Sequence, residues 1–224
     1  MNENTTRKPL LIFDLDGTLC DTMPVLTESI NRTLTEFSLP TKTMDEVRAA
    51  VGNGARTLCR RVLPLALQGD EELVDRFHAR YDEIYGELYL RSQSDVYSGV
   101  YDAVRTLHCR GYTLAVFSNK PNIFTVNLVR AAFGDEYFAL IRGAVDGQPR
   151  KPDPEALLSI CRTLGFGSSE TFMIGDSEPD VCAALAAKTG IVAVGWGYRS
   201  HDELISAGAT LIVDSAEELC RIFE

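Results

Sequence analysis

Helix-like and strand-like segments alternate from residue 99 to the end of the sequence, and this alternation constrains the fold more than any other feature. A periodic segment from Val100 to Arg110 ends at Gly111 and leads into the apolar run YTLAVFS. Similar pairs follow, among them PDPEALLSICRTLG with TFMIGD and SEPDVCAALAAKTG with IVAVGWG. Strands that alternate with helices of about ten to fifteen residues predict βαβ units and a parallel sheet with right-handed crossovers. We therefore expect an α/β fold with a Rossmann-like parallel sheet.

The segment between the first strand and residue 99 has a different pattern, because it offers helical signals and no β-rich run. MPVLTESINRTLTEF carries apolar residues near helical spacing, and Thr43 with Glu46 forms a capping box. This pattern predicts an inserted all-α helical cap domain. The expected division is a core domain of residues 1–20 and 99–224 and a cap domain of residues 21–98, with hinges where the chain crosses around Thr22 and at 92–99.

Composition limits the classes of partner. With 224 residues, 45% of them hydrophobic, the chain is long enough for one sizeable core and an insert. A net charge of -10 disfavours nucleic acid, and no apolar run is long enough for export or membrane insertion, so we expect a cytoplasmic protein. Its six cysteines lack a C-x-x-C pair and are expected to be reduced, buried thiols. The expected partner is a small molecule, and the protein is expected to be a monomer or a homodimer.

Two acidic residues end the apolar run LLIF near the amino terminus. Because side chains alternate along an extended chain, Asp14 and Asp16 point the same way, and Gly17 lets the backbone turn. Two carboxylates about 4 Å apart repel by about 4 kcal/mol at an effective dielectric of ~20, so keeping both ionised calls for a cation. Mg²⁺, which prefers oxygen ligands, is the natural candidate. The alternative is a strand followed by an ordinary Asp-Gly turn.

A third carboxylate follows another apolar strand, in TFMIGDSEPD. Asp176 ends this strand and is the expected further ligand, because parallel strands deliver their carboxyl ends to one edge of a sheet. Asp180 lies four residues later in the first turn of a helix, where it could ligate directly or through water. Taken alone, this motif would be a strand, a turn and a capped helix. Combined with Asp14 and Asp16, it predicts a metal site.

Two more strand ends or loops supply groups that suit a phosphate. Ser118 and Asn119 follow YTLAVF, and Lys151 precedes a helix in RKPDPEAL. Each alone is an ordinary turn residue or a solvated lysine. Together, the hydroxyl and nearby backbone N–H groups can bind phosphoryl oxygens, while the ammonium offsets the charge that Asp14 and a phosphate bring together.

The cap contains a second candidate anion site, GNGAR. Gly52, Asn53 and Gly54 form a glycine-flanked turn at a predicted helix start, where free N–H groups favour anions. Arg56 adds a guanidinium that fits a carboxylate. The alternative is a tight turn between two cap helices with no role in binding.

The motifs DLDGT at 14–18, SN at 118–119, Lys151 and GDSEPD at 175–180 resemble, in order, spacing and strand context, those of the haloacid dehalogenase superfamily of phosphohydrolases. The resemblance spans the whole chain. It implies a parallel sheet of about five or six strands with the first and fourth motif strands adjacent at its centre. A helical cap inserted just after the first motif is typical of the subclass that encloses small-molecule substrates between cap and core.

The resemblance also implies roles for the first motif. Asp14 would be the nucleophile that forms an aspartyl phosphate, and Asp16 would protonate the leaving group and then activate water. Dehalogenase relatives lack an acid at the position of Asp16, because a halide needs no proton, so this residue favours phosphoester hydrolysis. Asp14 and Asp176 would bind Mg²⁺ through their side chains, and Asp16 through its backbone carbonyl.

The remaining roles concern the substrate. Ser118 and Lys151 would hold the phosphoryl group, and the expected substrate-binding residues are Gly17, Thr18, Asn119, Gly52, Asn53, Gly54 and Arg56. The sequence looks most like the phosphoglycolate phosphatase group, which predicts a small anionic phosphomonoester as substrate. Inorganic pyrophosphatase, nucleotidase and sugar phosphatase activities remain alternatives, as does β-phosphoglucomutase, although Thr18 stands where those mutases usually have Val. The contrasting class is a non-catalytic phosphate-binding module. Loss of Asp14, Asp16, Lys151 or Asp176 would favour that class, and all four residues are present.

Overall fold

A six-stranded, fully parallel sheet forms the centre of the molecule. The computed structural model describes residues 7–224, leaving out the side chains of 92–94, so the first six residues of the predicted core lie outside the described residues. The strands are β1 (Leu10–Phe13), β2 (Thr113–Pro121), β3 (Phe138–Ala144), β4 (Thr171–Gly175), β5 (Gly190–Val194) and β6 (Ile212–Val213). Their order is β3-β2-β1-β4-β5-β6, with β1 between β2 and β4. The predicted α/β fold is thereby confirmed, and its first and fourth motif strands are neighbours.

Helices cover both faces of this sheet. The helices that follow the cap are α5 (Val100–Cys109), α6 (Asn122–Phe133), α7 (Pro154–Leu164), α8 (Glu178–Ala187), α9 (His201–Ala207) and α10 (Ala216–Ile222). All four residues of β1 are buried; Leu11 and Phe13 pack with α5, α6 and α10, and Leu10 and Ile12 pack with α7, α8 and α9. A strand buried on both faces explains why LLIF is a continuous apolar run instead of an alternating one.

The register of β1 brings the strand ends together. Phe13 is aligned with Val116 of β2 and with Ile174 of β4. The polar residues that follow these positions therefore emerge at one edge of the sheet, as expected for parallel strands.

The inserted segment is helical among its described residues, as predicted. It contains α1 (Met23–Glu36), α2 (Met44–Ala50), α3 (Ala55–Val62) and α4 (Glu71–Leu88). Thr43 and Glu46 form the predicted capping box at the start of α2. Tyr81 and Tyr85 of α4 stack on each other, and Tyr85 also packs edge-on against Phe124 of α6, which joins the cap to the core. We call residues 21–98 the cap.

The two connections between cap and core run side by side. The Asp21 N–H donates to the carbonyl of Asp95 at 2.7 Å, and the Tyr97 N–H donates to the carbonyl of Leu19 at 3.2 Å. The predicted hinge positions thus lie next to each other, although hinge motion itself stays a prediction.

Two details differ from the sequence-based expectations. Strand β2 continues past Ser118 to Pro121, because Pro121 still pairs with Ala144 of β3 after an irregularity in register. All six cysteines are free, but Cys109 is exposed and Cys182 and Cys220 are only half-buried, because each lies on an outer helix.

Within the described residues, no helix combines the length and the apolar character that a membrane crossing requires.

Candidate active site

The loop after β1 delivers two carboxylates to the edge of the sheet. Asp14 still pairs with β4, donating its N–H to the carbonyl of Ile174 at 2.8 Å, and the chain then turns so that Cys20 N–H reaches the carbonyl of Leu15 at 3.0 Å. Gly17 adopts a φ of 84°, and a Cβ at this position would lie 2.2 Å from Oδ2 of Asp176. Only glycine permits this close approach of the loop to Asp176.

Three buried carboxylates meet at this edge. Oxygens of Asp14, Asp176 and Asp180 lie within 4.8 Å of one another, and the two residues near β4 are fully buried. Thr18 Oγ1 donates to Asp176 Oδ1 at 3.0 Å, and the Tyr198 N–H donates to Oδ2 at 2.8 Å. These hydrogen bonds fix the orientation of Asp176 toward the other two carboxylates.

Lys151 lies buried within the cluster. Its Nζ is 3.0 Å from Asp14 Oδ1 and 2.7 Å from Asp180 Oδ1, and it donates to the carbonyl of Phe117 at 2.9 Å. Burial lowers the pKa of Lys151, but the two carboxylates outweigh this and raise it above its ordinary value. The ammonium therefore stays charged, and its three donors are all engaged.

The electrostatics of the cluster favour a bound cation. Burial raises the pKa of Asp14 from 3.8 to about 7; Lys151 opposes this rise, while Asp180 and Asp16 add to it. Burial, Asp180 and Asp14 raise the pKa of Asp176 from 3.8 to about 8. One ammonium cannot balance three buried carboxylates, so these donors suit a divalent ion with a preference for oxygen.

Asp180 has both oxygens occupied by protein donors. Oδ1 accepts from Lys151, and Oδ2 accepts from the N–H and the hydroxyl of Ser177 at 3.1 and 2.6 Å. This places Asp180 in the cluster as a partner of Lys151 and as a cap of α8. Direct ligation by Asp180 stays a prediction.

Asp16 forms an ion pair that the sequence analysis did not predict. Lys120 Nζ lies 2.6 Å from both Asp16 oxygens, and the Thr22 hydroxyl donates to Oδ1 at 2.6 Å. The Lys120 side chain is only 3% exposed. Its position could have been inferred, because Lys120 is two residues beyond Ser118 and shares its face in extended β2.

Ser118 and Asn119 lie in the cavity between cap and core. Ser118 is buried, and its Oγ accepts from the N–H of Lys120 at 3.3 Å. Asn119 Nδ2 donates to the carbonyl of Lys151 at 2.8 Å and to that of Gly52 at 3.2 Å. Asn119 therefore connects the GNG loop of the cap to the loop that carries Lys151.

The cavity contains part of the predicted GNG site but not Arg56. Gly52 and Gly54 line it, whereas Asn53 is exposed and outside the lining. The Arg56 guanidinium instead pairs with Glu71 and Asp75 of α4, at 2.7 Å each, and 40% of its side chain is exposed. Ala55 and Leu58 of α3 face the cavity, and Arg56 lies about 100° around the helix from Ala55. Arg56 therefore lies outside this lining, and a role for it in substrate binding stays a prediction.

The cavity between cap and core is small. Its volume is about 70 Å³, room for about five water molecules. The Arg199 guanidinium closes one side, donating to the carbonyls of Arg48 and Val51 at 3.0 and 2.6 Å, at the carboxyl end of α2. Tyr198 contacts Thr22, with hydroxyl oxygens 2.8 Å apart. Neither residue was predicted, because no motif marks the loop after β5 that carries both.

Comparisons with known proteins agree with this geometry. A family model described as haloacid dehalogenase-like hydrolase matches residues 11–194. Phosphoglycolate phosphatase 1 of Pseudomonas aeruginosa is 35% identical over 218 residues, covering 96% of this chain and 79% of that protein. Phosphoglycolate phosphatase of Haemophilus influenzae is 34% identical, and the match covers 97% of this chain and 99% of that protein. A crystal structure described as a predicted phosphoglycolate phosphatase from Haemophilus somnus has a TM-score of 0.87 and 28% identity, covering 99% of this chain and 100% of that chain.

Proposed function

Because the chain belongs to the haloacid dehalogenase-like hydrolase family and is a phosphatase, we propose that it uses Mg²⁺ to hydrolyse a small anionic phosphomonoester such as phosphoglycolate. The observation that carries this proposal is the buried cluster of Asp14, Asp176, Asp180 and Lys151 beside the Asp16 carboxylate. The relatives named phosphoglycolate phosphatase support the substrate. The small cavity favours a leaving group of a few atoms over a nucleoside.

The donor set supports a magnesium site. Three carboxylates and one ammonium leave an excess of two negative charges when all are ionised, which one divalent ion would balance. Asp14 and Asp176 would hold the ion through side-chain oxygens, with the backbone carbonyl of Asp16 and the side chain of Asp180 as further oxygen donors. When bound, Mg²⁺ would keep Asp14 ionised and offset the charge of the approaching phosphate.

Asp14 is the proposed nucleophile. The Leu15 N–H donates to its Oδ1 at 2.6 Å and fixes the carboxylate plane, while Lys151 lies 3.0 Å from the same oxygen. An Asp14 oxygen would attack phosphorus in line with the leaving oxygen, forming the new O–P bond as the ester O–P bond breaks. Lys151, the Ser118 hydroxyl and backbone N–H groups of the loop would hold the phosphoryl oxygens.

Asp16 is the proposed acid and base. It would give a proton to the leaving oxygen and later take one from the water that attacks phosphorus, which frees Asp14 and releases phosphate. The Thr22 hydroxyl fixes one oxygen of Asp16, so the carboxylate has a defined direction. Thr22 is the residue before α1, and the first residues of the cap therefore help to position the acid.

Phosphate release from a substrate panel tests the proposal. The panel contains phosphoglycolate, pyrophosphate, nucleoside monophosphates and sugar phosphates, each with Mg²⁺ and with chelator, and Asp14→Asn protein is the blank. We expect Mg²⁺-dependent release that is fastest from phosphoglycolate. Faster release from pyrophosphate or a nucleotide would overturn the substrate, and release by Asp14→Asn at the wild-type rate would overturn the nucleophile.

A further inference from the structure

The cavity between cap and core has an unequal charge distribution. The described cap residues that line it are glycines and apolar side chains: Leu26, Val51, Gly52, Gly54, Ala55 and Leu58. The cations in its lining, Lys120, Lys151 and Arg199, all belong to the core. Among the described lining residues, a cationic side chain for a second negative group on the substrate therefore comes from the core.

Two of these three cations are committed elsewhere. Lys151 lies against Asp14 and Asp180, and the proposed mechanism assigns it to the phosphoryl oxygens. The Arg199 guanidinium donates to two carbonyls at the end of α2, which holds the cap against the core. Lys120 remains, and its partner Asp16 is a group that must contact the substrate if the proposed mechanism holds.

The position of Lys120 relative to Asp16 identifies the part of the substrate it can reach. Nζ lies 2.6 Å from both Asp16 oxygens, so an atom that contacts Asp16 is also near the ammonium. Asp16 is proposed to contact the leaving oxygen. In phosphoglycolate one methylene joins that oxygen to the carboxylate carbon, so the carboxylate would lie beside Lys120 when the leaving oxygen reaches Asp16.

The surroundings of Lys120 favour a compact anion at this point. Its Nζ is 5.0 Å from the centre of the Tyr85 ring, which comes from the cap, and the side chain is almost completely buried. A buried ammonium that contacts an aromatic face and a single carboxylate can exchange one oxygen of that carboxylate for an oxygen of the substrate without becoming unpaired.

We propose that Lys120 is the specificity-determining residue of this phosphatase, binding the carboxylate, or an equivalent anionic substituent, next to the leaving oxygen. On binding, the substrate anion takes one Lys120 donor from Asp16, and the freed Asp16 oxygen turns to the leaving oxygen. The inference rests on the proposed function, because it needs Asp16 at the leaving oxygen and a substrate with a second anionic group.

A matched pair of substrates tests this role. Phosphoglycolate and ethyl phosphate differ in the carboxylate, and the ratio of their kcat/KM values isolates recognition of that group. Lys120→Met keeps most of the side-chain length and removes the charge; Lys120→Arg keeps a charge. Any loss of Asp16 function in these variants slows both substrates and cancels in the ratio. Arg56→Met, whose guanidinium lies outside the cavity, is the matched control.

We expect wild type to prefer phosphoglycolate. Lys120→Met should lower this preference by about ten- to a hundredfold, because that is the effect of losing one charge-assisted hydrogen bond. Lys120→Arg should retain part of the preference and Arg56→Met all of it. Calorimetric binding of both compounds to Asp14→Asn protein, with and without Lys120→Met, gives the same comparison without turnover. Lys120→Gln replaces Lys120→Met if that variant does not fold.

The outcomes separate the two proposals. A wild-type enzyme that prefers phosphoglycolate, with the preference unchanged in folded Lys120→Met or Lys120→Gln, leaves the proposed function intact and overturns the role of Lys120. If the wild-type enzyme has the same kcat/KM for ethyl phosphate as for phosphoglycolate, the proposed substrate class is overturned. The need for a carboxylate-binding residue is then lost with it.

Discussion

Replacing Asp176 by Asn should stabilise the metal-free protein while abolishing activity. Asp176 is fully buried, and its pKa is raised from 3.8 to about 8 by burial and by the neighbouring carboxylates of Asp180 and Asp14. Asparagine preserves the local hydrogen bonds, since its oxygen can accept from the Tyr198 N–H and its amide can donate to the Thr18 hydroxyl. The substitution therefore removes a charge that is costly to bury and leaves the packing in place.

The size of the effect follows from proton linkage. Between pH 3.8 and about 8, Asp176 is ionised in the unfolded chain and protonated in the folded protein, so folding takes up a proton. The free energy of unfolding therefore falls by about 1.4 kcal/mol per pH unit as pH rises, and the loss from Asp176 reaches about 4 kcal/mol at pH 7. Asp14, with its pKa raised to about 7, adds a similar slope below that pH. The lowered pKa values of Glu46 and Glu71, about 2 each, affect stability only in more acidic solution.

Urea unfolding with chelator at pH 5, 6, 7 and 8 measures these slopes. The single tryptophan, Trp196, donates to the carbonyl of Thr18 at 3.1 Å and reports on this part of the molecule, and circular dichroism provides a second probe. We expect the wild-type free energy of unfolding to fall with pH more steeply than that of Asp176→Asn, by about 1.4 kcal/mol per unit. Mg²⁺ at pH 8 should raise it in wild type and much less in the variant. Parallel slopes for the two proteins would refute the account of the cluster's electrostatics.

Three further substitutions test other parts of the site. Gly17→Ala should abolish activity and destabilise the fold, because its Cβ would lie 2.2 Å from Asp176 Oδ2. A melting temperature and an activity equal to those of wild type would contradict this close approach. Arg56→Ala should change KM for phosphoglycolate and for an aryl phosphate by the same small factor, since Arg56 pairs with Glu71 and Asp75. A rise in KM for phosphoglycolate alone in steady-state kinetics would support the carboxylate-binding role that the sequence predicts. Arg199→Met should raise KM for both substrates together, because it removes the hydrogen bonds that hold the cap at the end of α2. An unchanged KM for both would show that this contact does not hold the cap.

The parts of the molecule that were predictable from sequence are those dictated by strand ends. The alternation after residue 99 predicts parallel strands, and parallel strands deliver Asp14, Ser118 and Asp176 to one edge. The uninterrupted apolar character of LLIF indicates a strand buried on both faces, and β1 lies between β2 and β4. The helical insert follows in the same way from local periodicity. These features depend on short-range patterns and on the regular geometry of a parallel sheet.

The parts that sequence could not supply depend on helical phase and on partners distant in the chain. Whether Arg56 faces the cavity depends on which side of α3 packs toward the core, and Glu71 and Asp75 of α4 provide the competing carboxylates. Lys120 differs from these cases, because continuing the alternation of β2 two residues past Ser118 would have placed it, but the strand was expected to end at Ser118. Arg199 donates to carbonyls of residues that lie 151 and 148 positions away in the sequence, and no local pattern encodes such contacts.

The central claim is that Asp14 forms a covalent phosphoenzyme that Asp16 then helps to hydrolyse. The Asp16→Asn variant with an aryl phosphate tests it most directly, because the aryl leaving group needs no protonation while the second step still needs a base. With Mg²⁺, we predict a burst of aryl alcohol release and, after acid quench and digestion, a phosphate adduct on the peptide that contains Asp14. The double variant Asp14→Asn/Asp16→Asn should show neither. Phosphate release without any adduct, or an adduct on another residue, would contradict the account.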